Sequence, residues 1–347
     1  MQSRSHVRPL LAIFGACAGL LPATAQAQDV AAFYKGRSIS MFIASAVGGG
    51  YDAYARLVGR HIGKYIPGTP NVIVQNVPGG GSLRLANQIA NVAPRDGSLF
   101  ALASNGMPTT PLLMPEAAHF DPTKFAFVGS TSREIEIMVV WHEAPVKALD
   151  DIFVKEMIVG TSGPGSATRD FPIVMNALLG TKFKIVTGYI GAGAVKLAMQ
   201  RGEVHSNVAL AWGSAKTSYG DLLRDKKLNI VAKYSPTTDP ELASVPIMPP
   251  GKTEADRQIL DILYSREAYG RPFFTPPGVP AERVAALRRA FADTMKDPEF
   301  RSDAKQRRVE VEPITGEALD ALTQQLVKIP ADVVARARRL LAPGSAK

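Results

Sequence analysis

The chain has almost no cysteine: Cys17 is the single thiol in 347 residues, and it lies close to the N-terminus. If that first segment is removed, disulfides, cysteine-ligated zinc and a cysteine nucleophile are excluded together. Other chemistry-bearing patterns are missing as well. The sequence contains no G-x-x-x-x-G-K-[ST] run and no G-x-G-x-x-G following a strand, which disfavours a phosphate-containing cofactor. It has no G-x-S-x-G elbow of the kind that carries a serine nucleophile. His61, His119, His142 and His205 are scattered without the short spacings that zinc sites favour, so each is read as a structural or surface residue. The expectation is no metal, no cofactor and no catalytic set. Long hydrophobic runs are also absent. The apolar stretch Leu10 to Leu21 falls short of the roughly 20 residues that span a bilayer.

That short stretch has a different meaning. Arg4 and Arg8 precede it with no acidic residue nearby, and Pro22 and the small-residue run Ala23-Thr24-Ala25-Gln26-Ala27 follow. Basic, apolar and A-x-A segments in this order predict a secretory leader cleaved after about Ala27, hence an exported protein. Cys17 could carry a lipid anchor, but apolar residues continue past it and a cleavage site follows. Loss of Arg4 and Arg8 with the leader takes the formal charge from +9 to +7. A mildly basic exported protein can steer anionic solutes. The doublets Arg288-Arg289, Arg307-Arg308 and Arg338-Arg339 read as solvated helix faces rather than a nucleic-acid surface.

The remaining chain alternates short apolar strands with helices, the pattern of parallel α/β sheets. Strands are predicted at 40–46, 72–76, 98–103, 157–161, 183–187, 208–210, 229–233 and 269–274. A helix fits 53–65, with Tyr54, Leu57, Val58, His61, Ile62 and Tyr65 on one face and Asp52 as its cap. Ser82 and Ser166 are the natural caps of two further helices. The proline-rich stretch from Ser235 to Gly251 reads as a surface connection.

Three glycine-rich strand-to-helix loops stand out: Gly48 to Asp52, Pro78 to Ser82 and Ser162 to Ser166. The first amides of a helix lack intrahelical partners and carry the positive end of its dipole, and glycine lets a ligand approach them. Each loop is therefore a candidate anion site, although a single one can serve packing alone. Two early loops and one in a later α/β series suggest a cleft lined from both sides.

These residues resemble a known family. Ala44 to Arg56 (ASAVGGGYDAYAR), Asn76 to Ser82 (NVPGGGS) and Ala93 to Leu99 (APRDGSL) are similar to segments of the receptors of tripartite tricarboxylate transporters, the Bug-type binding proteins. Thr161 to Ser166 (TSGPGS), Gly188 to Ala192 (GYIGA), Arg201 to Val204 and Phe274 to Pro280 (FTPPGVP) follow in the family's order. The resemblance implies a type II periplasmic-binding-protein fold: two α/β lobes with a ligand cleft between them. Residues 28–137 and 266–347 would form one lobe and 138–265 the other. In such a receptor Ala44, Ser45, Gly48, Gly49 and Asp52 hold a ligand carboxylate. Ser162, Gly163, Gly165 and Ser166 donate to the other end of the ligand, and Tyr189 and Ala192 belong to another cleft loop. Gly80 and Ser82 of the second glycine loop complete the expected site, with Tyr51 turned to the cleft and Tyr54 in the core.

Departures from the family pattern bear on the ligand. His205 stands where the family commonly has Asp, and Ile190 follows Tyr189 where Lys is usual, so the site is expected to lack an acidic group that would suit an ammonium. Trp212 either stacks on the ligand or packs under the second lobe. Arg84 and Arg169 either pair with a carboxylate or are exposed helix cations. The implied function is a monomeric, non-catalytic receptor. It would bind a mono-, dicarboxylate or aromatic acid and dock on integral membrane subunits, with no nucleic-acid partner. The rivals are a ligand-presenting sensory module and a secreted enzyme on the same scaffold.

Overall fold

A computed structural model describes residues 23–236, 239–326 and 328–342. Residues 1–22 of the predicted leader, Cys17 among them, lie outside the described residues. The predicted cleavage site, Ala25 to Ala27, falls on the first turns of helix α1 (Ala23–Tyr34).

The chain then runs β1 (Ser38–Ile43), α2 (Gly50–Ile62), β2 (Asn71–Asn76), α3 (Leu83–Asn91), β3 (Leu99–Leu102), α4 (Thr110–Leu113) and β4 (Ala126–Ser130). It continues through β5 (Glu136–Trp141), β6 (Met157–Thr161), α5 (Ala167–Leu179), β7 (Phe183–Thr187), α6 (Ala192–Gln200), β8 (Ser206–Ala211), α7 (Trp212–Ser218), α8 (Gly220–Arg224) and β9 (Leu228–Lys233). The last part comprises α9 (Glu254–Tyr264), β10 (Pro272–Thr275), α10 (Ala281–Lys296), α11 (Pro298–Gln306), β11 (Ile314–Thr315), α12 (Gly316–Leu326) and α13 (Ala331–Leu341).

The strands form two sheets, ordered β11-β4-β10-β3-β1-β2 and β7-β6-β8-β5-β9. Within each, the strands joined by helical crossovers are parallel: β1 with β2 and β3, and β6 with β7 and β8. The sheets are mixed rather than parallel throughout, because β10 and β5 run antiparallel to their neighbours. These are the strands through which the chain enters each sheet from the other. Neither β4 nor β5 is among the strands expected from the sequence.

Helices cover both faces of each sheet, which is why the inner strands β3, β4, β5, β8 and β10 are buried along nearly their whole length, while β1 and the edge strand β2 alternate. On one face of the first sheet, Met41 and Ile43 pack with Tyr54, Leu57, Val58 and Ile62 of α2. Full burial of each such aliphatic side chain contributes about 1.5–3 kcal/mol. Leu85 and Ile89 of α3 join Phe127 and Phe274 on the opposite face. In the second sheet, Phe171 and Val174 of α5 pack with Ile259 and Leu263 of α9, while Val195 and Met199 of α6 meet Trp212 and Tyr219. Val333, Ala337 and Leu341 of α13 join the α5–α9 core. The last helix therefore packs with the second sheet, although the sequence-based division left all of 266–347 with the first. The Ser235–Gly251 stretch is not simply superficial either, since Leu242 and Met248 are buried.

The chain passes between the sheets twice, at 131–135 and 265–271, and the passes are tied together. Glu134 N–H donates to Glu267 O at 3.2 Å, and Arg271 N–H donates to Ser130 Oγ at 2.7 Å. Buried ion pairs reinforce this crossing: Arg271 with Glu134 at 2.8 Å, and Arg266 with Asp170 of α5 at 2.9 Å.

Candidate functional site

A cavity of about 360 Å³ lies between the two sheets, bounded by the loops at their strand ends. Ala44, Ser45 and Gly49 to Tyr51 come from the β1–α2 connection and Pro78 to Ser82 from the loop before α3. Ser162, Gly163 and Ser166 to Thr168 come from the β6–α5 connection, and Gly188 to Ala192 from the loop before α6. The N-termini of α2, α3, α5 and α6 thus converge on one cavity, each bringing the equivalent of about half a positive charge. Among the described residues that line the cavity there is no Lys, Arg or His.

Of the residues expected at the site, Ala44, Ser45, Gly49, Tyr51, Gly80, Ser82, Ser162, Gly163, Ser166, Tyr189 and Ala192 line this cavity. Gly48, Asp52, Gly165 and Trp212 do not, and each has a structural occupation instead.

Asp52 is almost fully buried, and its carboxylate is satisfied from within. Oδ2 accepts from Gly48 N–H at 2.9 Å, and Oδ1 accepts from Arg56 Nε and Asn76 Nδ2, both at 2.9 Å. Asn76 also donates to Ser45 O at 2.9 Å. Burial alone would raise the Asp52 pKa, but the hydrogen bonds from Gly48, Asn76 and Arg56 outweigh it and hold the carboxylate below its usual range. Asp52 therefore braces the first glycine loop from behind. The helix cap is Gly49, and Gly48 has a left-handed φ of 82°.

Ser82 and Ser166 precede their helices but cap neither through the side chain. Ser82 Oγ accepts from Ser104 N–H at 2.9 Å, which ties the second glycine loop to the end of β3. Ser166 Oγ donates to Gly163 O at 2.7 Å and lies 3.1 Å from Thr168 Oγ1. Gly165 takes φ of 81°, and its carbonyl accepts from Arg266 Nη1 at 3.5 Å.

Trp212 packs under the second sheet with Val195, Leu210 and Tyr219, and its Nε1–H donates to Asp239 Oδ2 at 2.8 Å. Arg84 is exposed, with Nη1 3.5 Å from Pro78 O. Arg169 is half-buried, pointing to Asp170 at 3.4 Å and to Leu341 O at 3.4 Å. Neither arginine lines the cavity. His61, Asp297 and Glu299 come close enough to share an ion, but the Lys64 ammonium already pairs with both carboxylates.

Sequence reasoning missed Ser104, Asn105, Glu136, Thr168 and Ser214, all of which line the cavity. Ser104-Asn105 could have been found as the polar pair that ends an apolar strand. Glu136 opens β5, a strand the sequence reading did not identify. It puts a carboxyl on the wall of a cavity for which the sequence reading expected no acidic group that would suit an ammonium. Asn105 links the two sheets' loops: its N–H donates to Tyr51 Oη at 3.0 Å, and its Nδ2 donates to Glu136 Oε1 at 2.9 Å. Arg271 lies 4.6 Å from the Tyr51 ring centre and donates to Ser214 Oγ at 3.0 Å. Burial pushes the Tyr51 hydroxyl far up, so it stays neutral.

The loops meet across the cavity. A Cβ on Gly81 would lie 2.8 Å from Ser166 N, one on Gly163 would lie 2.9 Å from Gly80 Cα, and one on Gly50 would lie 2.0 Å from Ser214 Oγ. Such approaches are open only to glycine.

The family model described as the tripartite tricarboxylate transporter family receptor matches residues 55–343. A curated relative from Agrobacterium vitis, the UPF0065 protein in the TAR-I ttuE-ttuC' intergenic region, is 28% identical over 293 residues, covering 82% of this chain and 79% of that protein. Among solved structures, the periplasmic binding protein BugD superposes with a TM-score of 0.68 at 20% identity, covering 88% of this chain and 98% of that one. MatC from Rhodopseudomonas palustris with bound malate gives 0.68 at 19% identity, covering 88% and 99%. Rpa4515 of R. palustris with adipate gives 0.68 at 19%, covering 87% and 97%. At these identities the structural likeness establishes the fold, two α/β lobes about a cleft.

Proposed function

Because the chain belongs to the tripartite tricarboxylate transporter receptor family, we propose that it is an exported, periplasmic and non-catalytic solute receptor. Its cavity captures a small carboxylate and presents it to the membrane subunits of a tripartite tricarboxylate-type transporter. The observation that carries the carboxylate is the convergence of four helix N-termini on a cavity with no basic side chain among the described residues that line it. Such a site neutralises an anion with backbone amides and dipoles. The malate and adipate held by the structural relatives support the same class of ligand.

In this reading the lobes are 28–137 with 266–330, and 138–265 with α13, hinged at the double crossing. Binding draws them together and the Gly80–Gly163 contact marks the closed form, so ligand shifts an equilibrium between two arrangements. The wall offers neutral donors and acceptors from Ser45, Tyr51, Ser82, Ser162, Ser166 and Tyr189. An aromatic acid would meet Tyr51 or Tyr189 rather than Trp212.

A thermal-shift and calorimetric screen of mono-, di- and aromatic carboxylates tests this. Carboxylates should raise the melting temperature and be recovered unchanged. A rise with a sugar or nucleotide and with no carboxylate would overturn the reading.

A further inference from the structure

Glu136 is the one acidic side chain among the described residues that line the cavity, and only 3% of its surface is exposed. Its bonding is incomplete in a particular way. Oε1 accepts from Asn105 Nδ2 at 2.9 Å, while Oε2 is buried and has no hydrogen-bond partner among the described residues. The Glu136 N–H donates to Glu267 Oε1 at 2.7 Å. An ionised carboxylate in this position would need a cation, and those nearby are already committed. Arg271 pairs with Glu134 at 2.8 Å, and Arg266 pairs with Asp170 at 2.9 Å. Lys233, on the neighbouring strand β9, spends its ammonium on Leu242 O at 2.7 Å. The other groups around it, Tyr51, Tyr234 and Glu267, bring no positive charge.

Burial is the main cause that raises the Glu136 carboxyl, to about 7, and Glu134 adds to it. The Asn105 hydrogen bond, Arg271 and Arg266 act in the opposite direction without overcoming it. A neutral carboxyl whose Oε1 already accepts a hydrogen bond carries its proton on Oε2, where it is a donor in want of an acceptor. The four helix N-termini offer charge compensation to one ligand carboxylate, but a second anionic group in the same cavity has no cationic side chain to meet.

We infer that Glu136 is a specificity-determining residue: its protonated carboxyl donates through Oε2 to a second anionic group of the ligand, so that dicarboxylate capture consumes a proton and monocarboxylate capture does not. This rests on the carboxylate reading above. The cavity distinguishes its ligands by the number of charges they bring, with the proton taken from solvent.

The experiment is calorimetry of the mature protein at pH 6 and pH 8, in buffers of different ionisation enthalpy. The probes are the straight-chain dicarboxylates from succinate to adipate, each beside the monocarboxylate of equal length. A carboxyl titrating near 7 loses about a factor of ten in its neutral fraction across that interval. The Kd of a bound dicarboxylate should therefore rise roughly tenfold from pH 6 to pH 8, with close to one proton taken up at pH 8. The monocarboxylate Kd should move less than about twofold. Glu136→Gln keeps a donor at this position and should remove the proton uptake and the pH dependence. Any part that comes from the dicarboxylate's own ionisation would survive in the variant. Should that variant misfold, proton uptake by the unaltered protein still decides the matter. Dicarboxylate binding with no proton uptake, or with proton release and tighter binding at pH 8, overturns the inference while leaving carboxylate capture intact. Failure of every carboxylate to bind at both pH values overturns the parent reading and this one with it.

Discussion

Gly163 stands against Gly80 across the cleft so closely that a Cβ on Gly163 would lie 2.9 Å from the Gly80 Cα. The two residues belong to loops that lead from different sheets. Gly163 does not have a positive φ, so its own backbone would accept a side chain without strain. The contact alone demands glycine there. Gly163→Ala is therefore expected to spare each lobe and resist closure. A small overpacking of this kind costs about 1–3 kcal/mol, or roughly a factor of 5 to 150 in affinity. Calorimetry should show that loss, and small-angle scattering should show a more extended liganded form. Unchanged affinity would mean that the closed contact plays no part in binding.

Asp52 supports the first glycine loop and does not reach the cavity, so its removal should register first in stability. Asp52→Ala leaves Gly48 N–H, Asn76 and Arg56 without their shared acceptor. The expected loss is about 1.5–3 kcal/mol at pH 7, read from urea unfolding. Its pKa is depressed in the folded protein, so the stabilisation is present above the unfolded value near 4 and lost as pH falls through the lower folded value. The gap between the two proteins should accordingly narrow below about pH 4. A gap independent of pH would point to packing rather than charge.

The buried carboxyls of Glu136 and Glu267 act in the opposite direction. Burial raises them, to about 7 and about 8, so the folded protein holds their protons more tightly than the unfolded chain. That contribution is fully present below the unfolded value near 4.5 and fades as pH climbs through 7 to 8. The unliganded melting temperature should fall between pH 5 and pH 8.5 by several degrees, at about 2–4 °C per kcal/mol for a chain of this order of size. Glu267→Gln should flatten the curve. A flat profile in the unaltered protein would show that neither carboxyl is perturbed.

Trp212 gives a control. Trp212→Phe removes the Nε1–H bond to Asp239 while keeping most of the buried ring. Stability should drop by about 0.5–1.5 kcal/mol, and affinity for aliphatic and aromatic acids alike should change less than about threefold. A selective loss of aromatic acids would return Trp212 to the ligand.

Much of the fold was legible because its cause is local. The apolar strands β6 and β7 and the face of α2 carrying Tyr54, Leu57, Val58 and Ile62 follow from periodicity. The loops were legible for a similar reason, since glycine runs at strand-to-helix joints advertise backbone amides. The strand β5 was not, because a run that opens with charges and continues without alternation does not separate from its surroundings until β8 and β9 pair with it. The bracing role of Asp52 was hidden for a related reason. Its place beside the glycines was visible, but its partner Asn76 is 24 residues away.

By itself the sequence determined most of the strands and helices, the leader-like N-terminus, three glycine-rich loops and the family. Each of these is written in neighbouring residues or in an ordered set of short segments. The tertiary structure alone decided which side chains face the cavity. Asp52 is turned inward by Asn76 and Arg56, and Trp212 is drawn under the second sheet by Asp239. Glu136 is brought to the cavity wall at the start of β5, where the chain enters the second sheet from the crossing. Orientation depends on partners distant in the chain, and burial, which sets the charge of Glu136, exists only once both lobes have assembled around it.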